Sequence, residues 1–104
     1  MAKAIVKFTP PNPTTRPILD RDLAYWTSTP EQLVGKCFIS KGLISRIFLI
    51  DDFSVKKRKG PQYDVLYEDS GLDEVETLDP ALLLKMLSDG ETELVTNALP
   101  RSEF

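Results

Sequence analysis

The chain has 104 residues, of which 41% are apolar and 28% charged, a balance typical of one small globular domain. No apolar run approaches the roughly 20 residues that a membrane-spanning helix needs, and Lys3 and Lys7 interrupt the apolar start of a signal peptide. The single cysteine, Cys37, excludes an internal disulfide, and its apolar neighbours predict a packed thiol in a reducing compartment.

Charge is distributed unevenly along the chain, which carries a net charge of −3. Residues 1–60 hold eleven Lys and Arg against five Asp and Glu, whereas residues 61–104 hold two against eleven. The two halves can neutralise each other within one fold. Alternatively, they provide a basic edge for a nucleic acid and an acidic edge for a basic peptide.

Residues 1–28 are interpreted as an N-terminal arm. Residues 4–8 could form a short strand, but four prolines within residues 10–17 predict an extended segment that lies over the domain without joining a sheet. Apolar residues at helical spacing in 18–28 predict a short helix or packed turn. Its Trp26 is interpreted as a core residue, with ligand stacking as the alternative.

Short strands are predicted from residue 29 onward. Thr29 and Pro30 have the pattern of a capped helix start, and residues 36–40 and 43–50 follow as two strands, the second apolar on both faces. Residues 51–61 are then predicted to form the widest connection. Four consecutive cations occupy its tip: Lys56, Lys57, Arg58 and Lys59.

A hairpin is predicted over residues 62–79, with Val65 and Val75 directed into the core and a turn at residues 69–71. Asp79 and Pro80 begin a helix that carries more leucines than one narrow stripe needs. Residues 91–96 are read as an added strand. Residues 99–104 resemble the tail that cloning sites leave and are excluded from the fold.

Residues 31–87 resemble the Tudor-like SH3-type barrels, in particular chromatin-associated ones such as those in plant cohesin-associated proteins. The matching residues are Glu31-Gln32-Leu33-Val34-Gly35-Lys36, Gly42-Leu43-Ile44, Tyr63-Asp64-Val65-Leu66-Tyr67-Glu68-Asp69-Ser70-Gly71 and Asp73-Glu74-Val75-Glu76-Thr77-Leu78. The resemblance implies a mainly β fold: a small SH3-like barrel of about five strands over residues 29–98, with a short C-terminal helix and an extended N-terminal arm.

In that family a methylated Lys or Arg enters a cage of aromatic rings beside a carboxylate, held by cation–π attraction. The resemblance places Tyr67 and Asp69 at the aromatic and acidic positions. Candidates for a further wall are Phe53, Tyr63 and Trp26, and Glu74 adds negative charge. For Tyr67, packing at the edge of the core is the alternative to ligand contact.

The chain lacks histidine, a glycine-rich phosphate loop and a nucleophile elbow, so we expect no enzyme activity, no metal and no cofactor. The first hypothesis is a nuclear, otherwise cytoplasmic, chromatin-associated module that binds a basic peptide, methylated or not, such as a histone tail. The alternatives are a nucleic-acid module that uses Lys56–Lys59 with Lys36, Lys41 and Arg46, and a scaffold or self-association domain. The oligomeric state stays open, and no membrane partner is expected.

Overall fold

A computed structural model describes residues 9–41, 46–68 and 75–98. In chain order the elements are β1 (Thr15–Pro17), α1 (Asp20–Ser28), a 3-10 helix (Pro30–Leu33), β2 (Cys37–Ser40), β3 (Arg46–Lys56), β4 (Gly60–Tyr67), β5 (Val75–Leu78), α2 (Pro80–Leu87) and β6 (Thr92–Val95). The predictions for residues 4–8, 43–45, 69–71 and 99–104 lie outside the described residues.

All six strands belong to one antiparallel sheet with the order β1-β6-β2-β3-β4-β5. Strands β2 to β5 form a meander, and β6 returns to pair with β2. The predicted mainly β fold is therefore confirmed. Within the described ranges β1 and β5 remain the two edges of the sheet, which is not closed into a barrel.

The predicted wide connection at residues 51–61 is wrong, because most of it is a hairpin ladder. β3 continues to Lys56 and β4 begins at Gly60, so the turn is confined to residues 57–59. Asp51 and Asp52, at the start of the predicted connection, lie at a register shift rather than in a loop. Such a bulge bends the strand without ending it. At the other side of the turn, Gly60 adopts a φ of +75°, which favours glycine.

One face of the sheet, called here the inner face, packs against the helices. Trp26 of α1 is 3% exposed, and its ring meets Phe38 edge-on at a centroid distance of 5.8 Å. The predicted short helix and the core role of Trp26 are thus confirmed. From α2, Leu83 and Leu87 are buried in the same core, and the other core members are Leu33, Phe48, Ile50, Tyr63, Val65, Tyr67, Leu78 and Leu94.

The opposite, outer face carries a second apolar row that runs in register across four strands. The row consists of Val95, Cys37, Leu49 and Leu66, each at most 4% exposed. Val75 pairs with Leu66 and therefore joins this face at the sheet edge, where it is 44% exposed. The prediction that Val75 points into the core is wrong, because the register places Leu78 opposite Tyr63 on the inner face instead.

The proline-rich segment contributes a strand, contrary to prediction. Thr15–Pro17 pairs with β6 at the edge of the sheet, a position that tolerates proline because only one side of an edge strand needs to pair. Before β1, the Asn97 amide donates to the carbonyl of Asn12 at 3.1 Å, and the Thr9 hydroxyl donates to Glu68 at 3.2 Å. These contacts hold residues 9–14 to the chain just after β6 and just after β4, two strands that β2 and β3 separate in the sheet.

The two predicted helix starts have different outcomes. Asp79 accepts a hydrogen bond from the Ala81 N–H at 2.8 Å and caps α2, as predicted. Thr29 makes no side-chain capping bond, so the cap predicted there is wrong, and a 3-10 helix begins at Pro30. Neither this helix nor any other in the part of the chain described here is long and apolar enough to span a membrane.

Candidate binding surfaces

Tyr63 is a structural residue of the core. Its side chain is 1% exposed, its ring lies 4.9 Å from that of Phe53, and its hydroxyl donates to the Pro30 carbonyl at 3.0 Å. Burial, with a smaller contribution from the negative charge of Glu31, raises the pKa of Tyr63 to about 12. The hydroxyl therefore stays protonated and attaches the 3-10 helix to the hairpin, while the ring presents no open face to solvent.

Tyr67 lies where the inner core meets the end of β4. It is 8% exposed, and its ring packs against Phe48 at 5.7 Å between centroids. The guanidinium carbon of Arg46 lies over the Tyr67 ring, 3.7 Å from the centroid, which is a cation–π contact. Tyr67 therefore does contact a cation, but the cation belongs to the same chain.

The predicted peptide-site residues fall into separate groups. Phe53 contacts Tyr63, whereas Tyr67 contacts Phe48 and Arg46. The two tyrosines are four positions apart on β4, a distance of about 13 Å along a strand. The other two predicted members, at positions 69 and 74, lie outside the described residues.

Sequence reasoning missed the partnership between Arg46 and Tyr67, because it assigned Arg46 to the nucleic-acid hypothesis. A signal was present: Arg46 and Phe48 are two apart on one strand and so share a face. That signal identifies Tyr67 as the partner of Arg46 only once the register between β3 and β4, which pairs Phe48 with Tyr67, is known.

β5 forms an open, acidic edge of the sheet. Only β4 pairs with it in the described residues, and its first three side chains, Val75, Glu76 and Thr77, are exposed. The Thr77 hydroxyl donates to Asp64 on the neighbouring strand at 3.3 Å. Asp79 follows the strand and is also exposed. The edge thus combines unpaired backbone with carboxylates.

The four consecutive basic residues of the nucleic-acid hypothesis are exposed at the tip of the β3–β4 hairpin. These are Lys56, Lys57, Arg58 and Lys59. None of them forms an ion pair with a carboxylate among residues 9–41, 46–68 and 75–98. Lys41, which was predicted to assist them, instead pairs with Glu93 at 2.7 Å. Hydrogen bonds from Lys41 and Thr15 hold the pKa of Glu93 below its usual range.

In comparisons with known proteins, no family model, no curated protein and no solved structure matches the chain. The case for a function therefore depends on the geometry of the three surfaces described above: the Tyr67 contact, the β5 edge and the basic hairpin tip.

Proposed function

We propose that the chain is a non-enzymatic interaction module, a Tudor-like member of the SH3-like barrels, that binds a basic peptide along β5. The observation that carries this proposal is the β5 edge, where backbone that pairs with no further strand among the described residues lies beside exposed carboxylates. A nuclear, chromatin-associated setting, with a histone tail as the peptide, is part of the same proposal.

The strand connectivity supports the barrel assignment. Strands β2 to β5 form a four-stranded meander, and β6, the next strand along the chain, pairs with β2. This arrangement brings together strands that are distant in sequence, as a curled sheet requires. The bulge between Ile50 and Asp52 bends the eleven-residue β3, and bulges of this kind produce the curvature of small barrels. β3 pairs with β2 over residues 46–49 and with β4 over residues 48–56, so this one strand can belong to both halves of a curled sheet.

An extended peptide can add to an exposed edge by pairing with its backbone, and side-chain contacts then select the sequence. At β5 the selecting groups are Glu76, which is exposed on the edge strand itself, and Asp64 and Asp79 beside it. Lys and Arg side chains on the added strand would meet these carboxylates. Charge complementarity therefore favours a basic peptide over a neutral or acidic one.

The methylated form of the peptide is favoured by Tyr67, whose ring already attracts a guanidinium in the free protein. A methylated ammonium group is a cation of low hydration and competes for the same ring face. Binding of the methylated peptide thus requires Arg46 to move, whereas binding along β5 does not.

The test is a chemical-shift titration with a basic histone-tail peptide, unmodified and trimethylated on one lysine. We expect the largest shifts at the amides of residues 75–78. Glu76→Lys should weaken binding by about fivefold, because it reverses a charge at the edge. The matched control is Glu91→Lys, which makes the same charge change at an exposed residue before β6. Equal effects of the two variants, or shifts that avoid β5, would contradict the proposal.

A further inference from the structure

The β3–β4 hairpin extends as a two-stranded ribbon beyond the rest of the sheet. The last pair between β4 and β5 is Tyr63 with Leu78, and β2 pairs with β3 only as far as Leu49. The β3–β4 ladder continues past both, to the pair Lys56 with Gly60. Residues 54–62 therefore form a ribbon that has no other strand beside it in the described part of the sheet.

Four basic side chains are concentrated at the end of this ribbon. Lys56 ends β3, and the next three residues form the turn, so all four cations occupy one exposed tip. Val55 beside them is 69% exposed. The nearest described carboxylates on the same hairpin are Asp52 and Asp64, which pair with each other at its base. No carboxylate of the hairpin as described therefore lies at the tip itself.

We propose that this hairpin tip is a binding site for duplex nucleic acid, separate from the peptide edge at β5. The two-stranded ribbon enters a groove, and the four cations at its tip contact the phosphodiester backbone on either side. The major groove of B-form DNA, about 12 Å wide, admits a two-stranded β ribbon. Backbone contacts of this kind give affinity without sequence selectivity.

The side chains of the ribbon favour a duplex over a single strand. Single-strand binding modules combine basic grooves with exposed aromatic rings on which bases stack. Phe53, the aromatic residue nearest the tip on β3, is half-buried and packs against Tyr63. The ribbon therefore offers cations for phosphates without a stacking platform.

The expected salt dependence follows from the number of cations. Neutralising four phosphates of B-form DNA gives a slope of about −3.6 in log K against log[salt], because each contact releases about 0.9 counterion. Doubling the salt concentration should therefore reduce affinity about twelvefold. A double variant that retains two tip cations should show a slope near −1.8.

The experiment is fluorescence anisotropy with a labelled 20-base-pair DNA duplex, an RNA duplex of the same sequence and the single DNA strand. The test variant is Lys57→Gln/Lys59→Gln, and the control is Arg21→Gln/Lys85→Gln, which removes two exposed charges elsewhere. We expect the DNA duplex to bind more tightly than the single strand, and more tightly than the RNA duplex, whose A-form major groove is deep and narrow. The tip variant should bind the duplexes at least tenfold more weakly at 100 mM salt, and the control should stay within twofold of the parent protein.

Comparison of the DNA duplex with the RNA duplex shows which of the two double-stranded nucleic acids the tip binds. Equal binding to polyglutamate or to vesicles with anionic headgroups would overturn the proposal, since either result means that the tip recognises negative charge alone. An equal loss in the tip and control variants would also overturn it. The peptide titration with the tip variant separates the two functions, because loss of duplex binding should leave the shifts at β5 unchanged.

Discussion

The guanidinium carbon of Arg46 lies 3.7 Å from the centroid of the Tyr67 ring. Arg46 begins β3, and Tyr67 ends β4 opposite Phe48, so the hairpin register brings the two side chains together. The contact covers a ring that is 8% exposed. The family resemblance assigns the Tyr67 ring to a methylated ligand. In the structure, Arg46 of the same chain contacts this ring instead.

Arg46→Met should open the ring of Tyr67 while keeping a long apolar side chain over the core. We expect the free energy of unfolding to fall by about 1 kcal/mol, the scale of a partly desolvated cation–π contact. Affinity for the trimethylated peptide should rise relative to the unmodified peptide, because the methylated ammonium no longer displaces an internal cation. Urea denaturation and paired peptide titrations measure the two effects.

Arg46→Lys is the matched control, since it keeps a cation at the same position. It should retain the parental preference between the two peptides. If Arg46→Met binds both peptides as the parent protein does, the Tyr67 ring is a packing residue and not a ligand site.

Elements with local chemical signals were predictable from the sequence. Asp79 and Pro80 define the start of α2 through a cap and a fixed φ, and both signals act within one helical turn. The face of Val75 was not predictable, because it depends on which residue of β4 lies opposite, and alternation alone does not fix that register. The contact of Arg46 with Tyr67 has the same origin.

Asp51 and Asp52 illustrate a second limit. Two adjacent aspartates commonly mark a turn, but here the strand absorbs them at a bulge and continues for four more residues to Lys56. The edge strand Thr15–Pro17 is a similar case, since proline composition argues against a strand and only pairing with β6 makes one possible. In both places long-range pairing overrides the local preference.

Trp26 should be essential for the fold, although it precedes the region that resembles a barrel. Trp26→Ala removes a side chain that is 3% exposed and packs on Phe38, and large-to-small changes of this type cost about 3–5 kcal/mol. The control is its neighbour Tyr25→Ala, because Tyr25 is 52% exposed and should cost less than about 1 kcal/mol. Equal destabilisation of the two variants in urea would show that α1 does not fix the core through Trp26.

Tyr63→Phe tests the attachment of the 3-10 helix to the hairpin. The change keeps the ring against Phe53 and removes only the hydroxyl that donates to the Pro30 carbonyl. We expect a loss of about 1 kcal/mol in the free energy of unfolding, together with faster exchange of the amide hydrogens of residues 31–33 in the 3-10 helix. Thr77→Val, which removes the exposed hydroxyl bond to Asp64, is the comparison and should cost less. Unchanged stability in Tyr63→Phe would mean that the hydroxyl bond adds nothing beyond ring packing.

Cys37 is fully buried in the outer apolar row, and its thiol should control part of the alkaline stability. Burial, together with the nearby charge of Glu68, raises its pKa from 9.0 to about 12. Above pH 9 the unfolded chain loses this proton while the folded protein keeps it. The free energy of unfolding therefore falls as pH rises from 9 toward 12, with a limiting slope of about 1.4 kcal/mol per pH unit.

Cys37→Ala should remove this slope between pH 9 and 10. The interval ends at pH 10 because Tyr63, whose pKa is raised from 10.0 to about 12, lowers the free energy of unfolding in the same way above that pH. Urea unfolding of both proteins across that interval measures the difference. The absolute stability of the variant will be lower because of the small cavity, so the comparison concerns the slopes alone. Parallel slopes, or rapid reaction of the folded thiol with Ellman's reagent at pH 8, would show that the outer row opens readily to solvent in the folded protein.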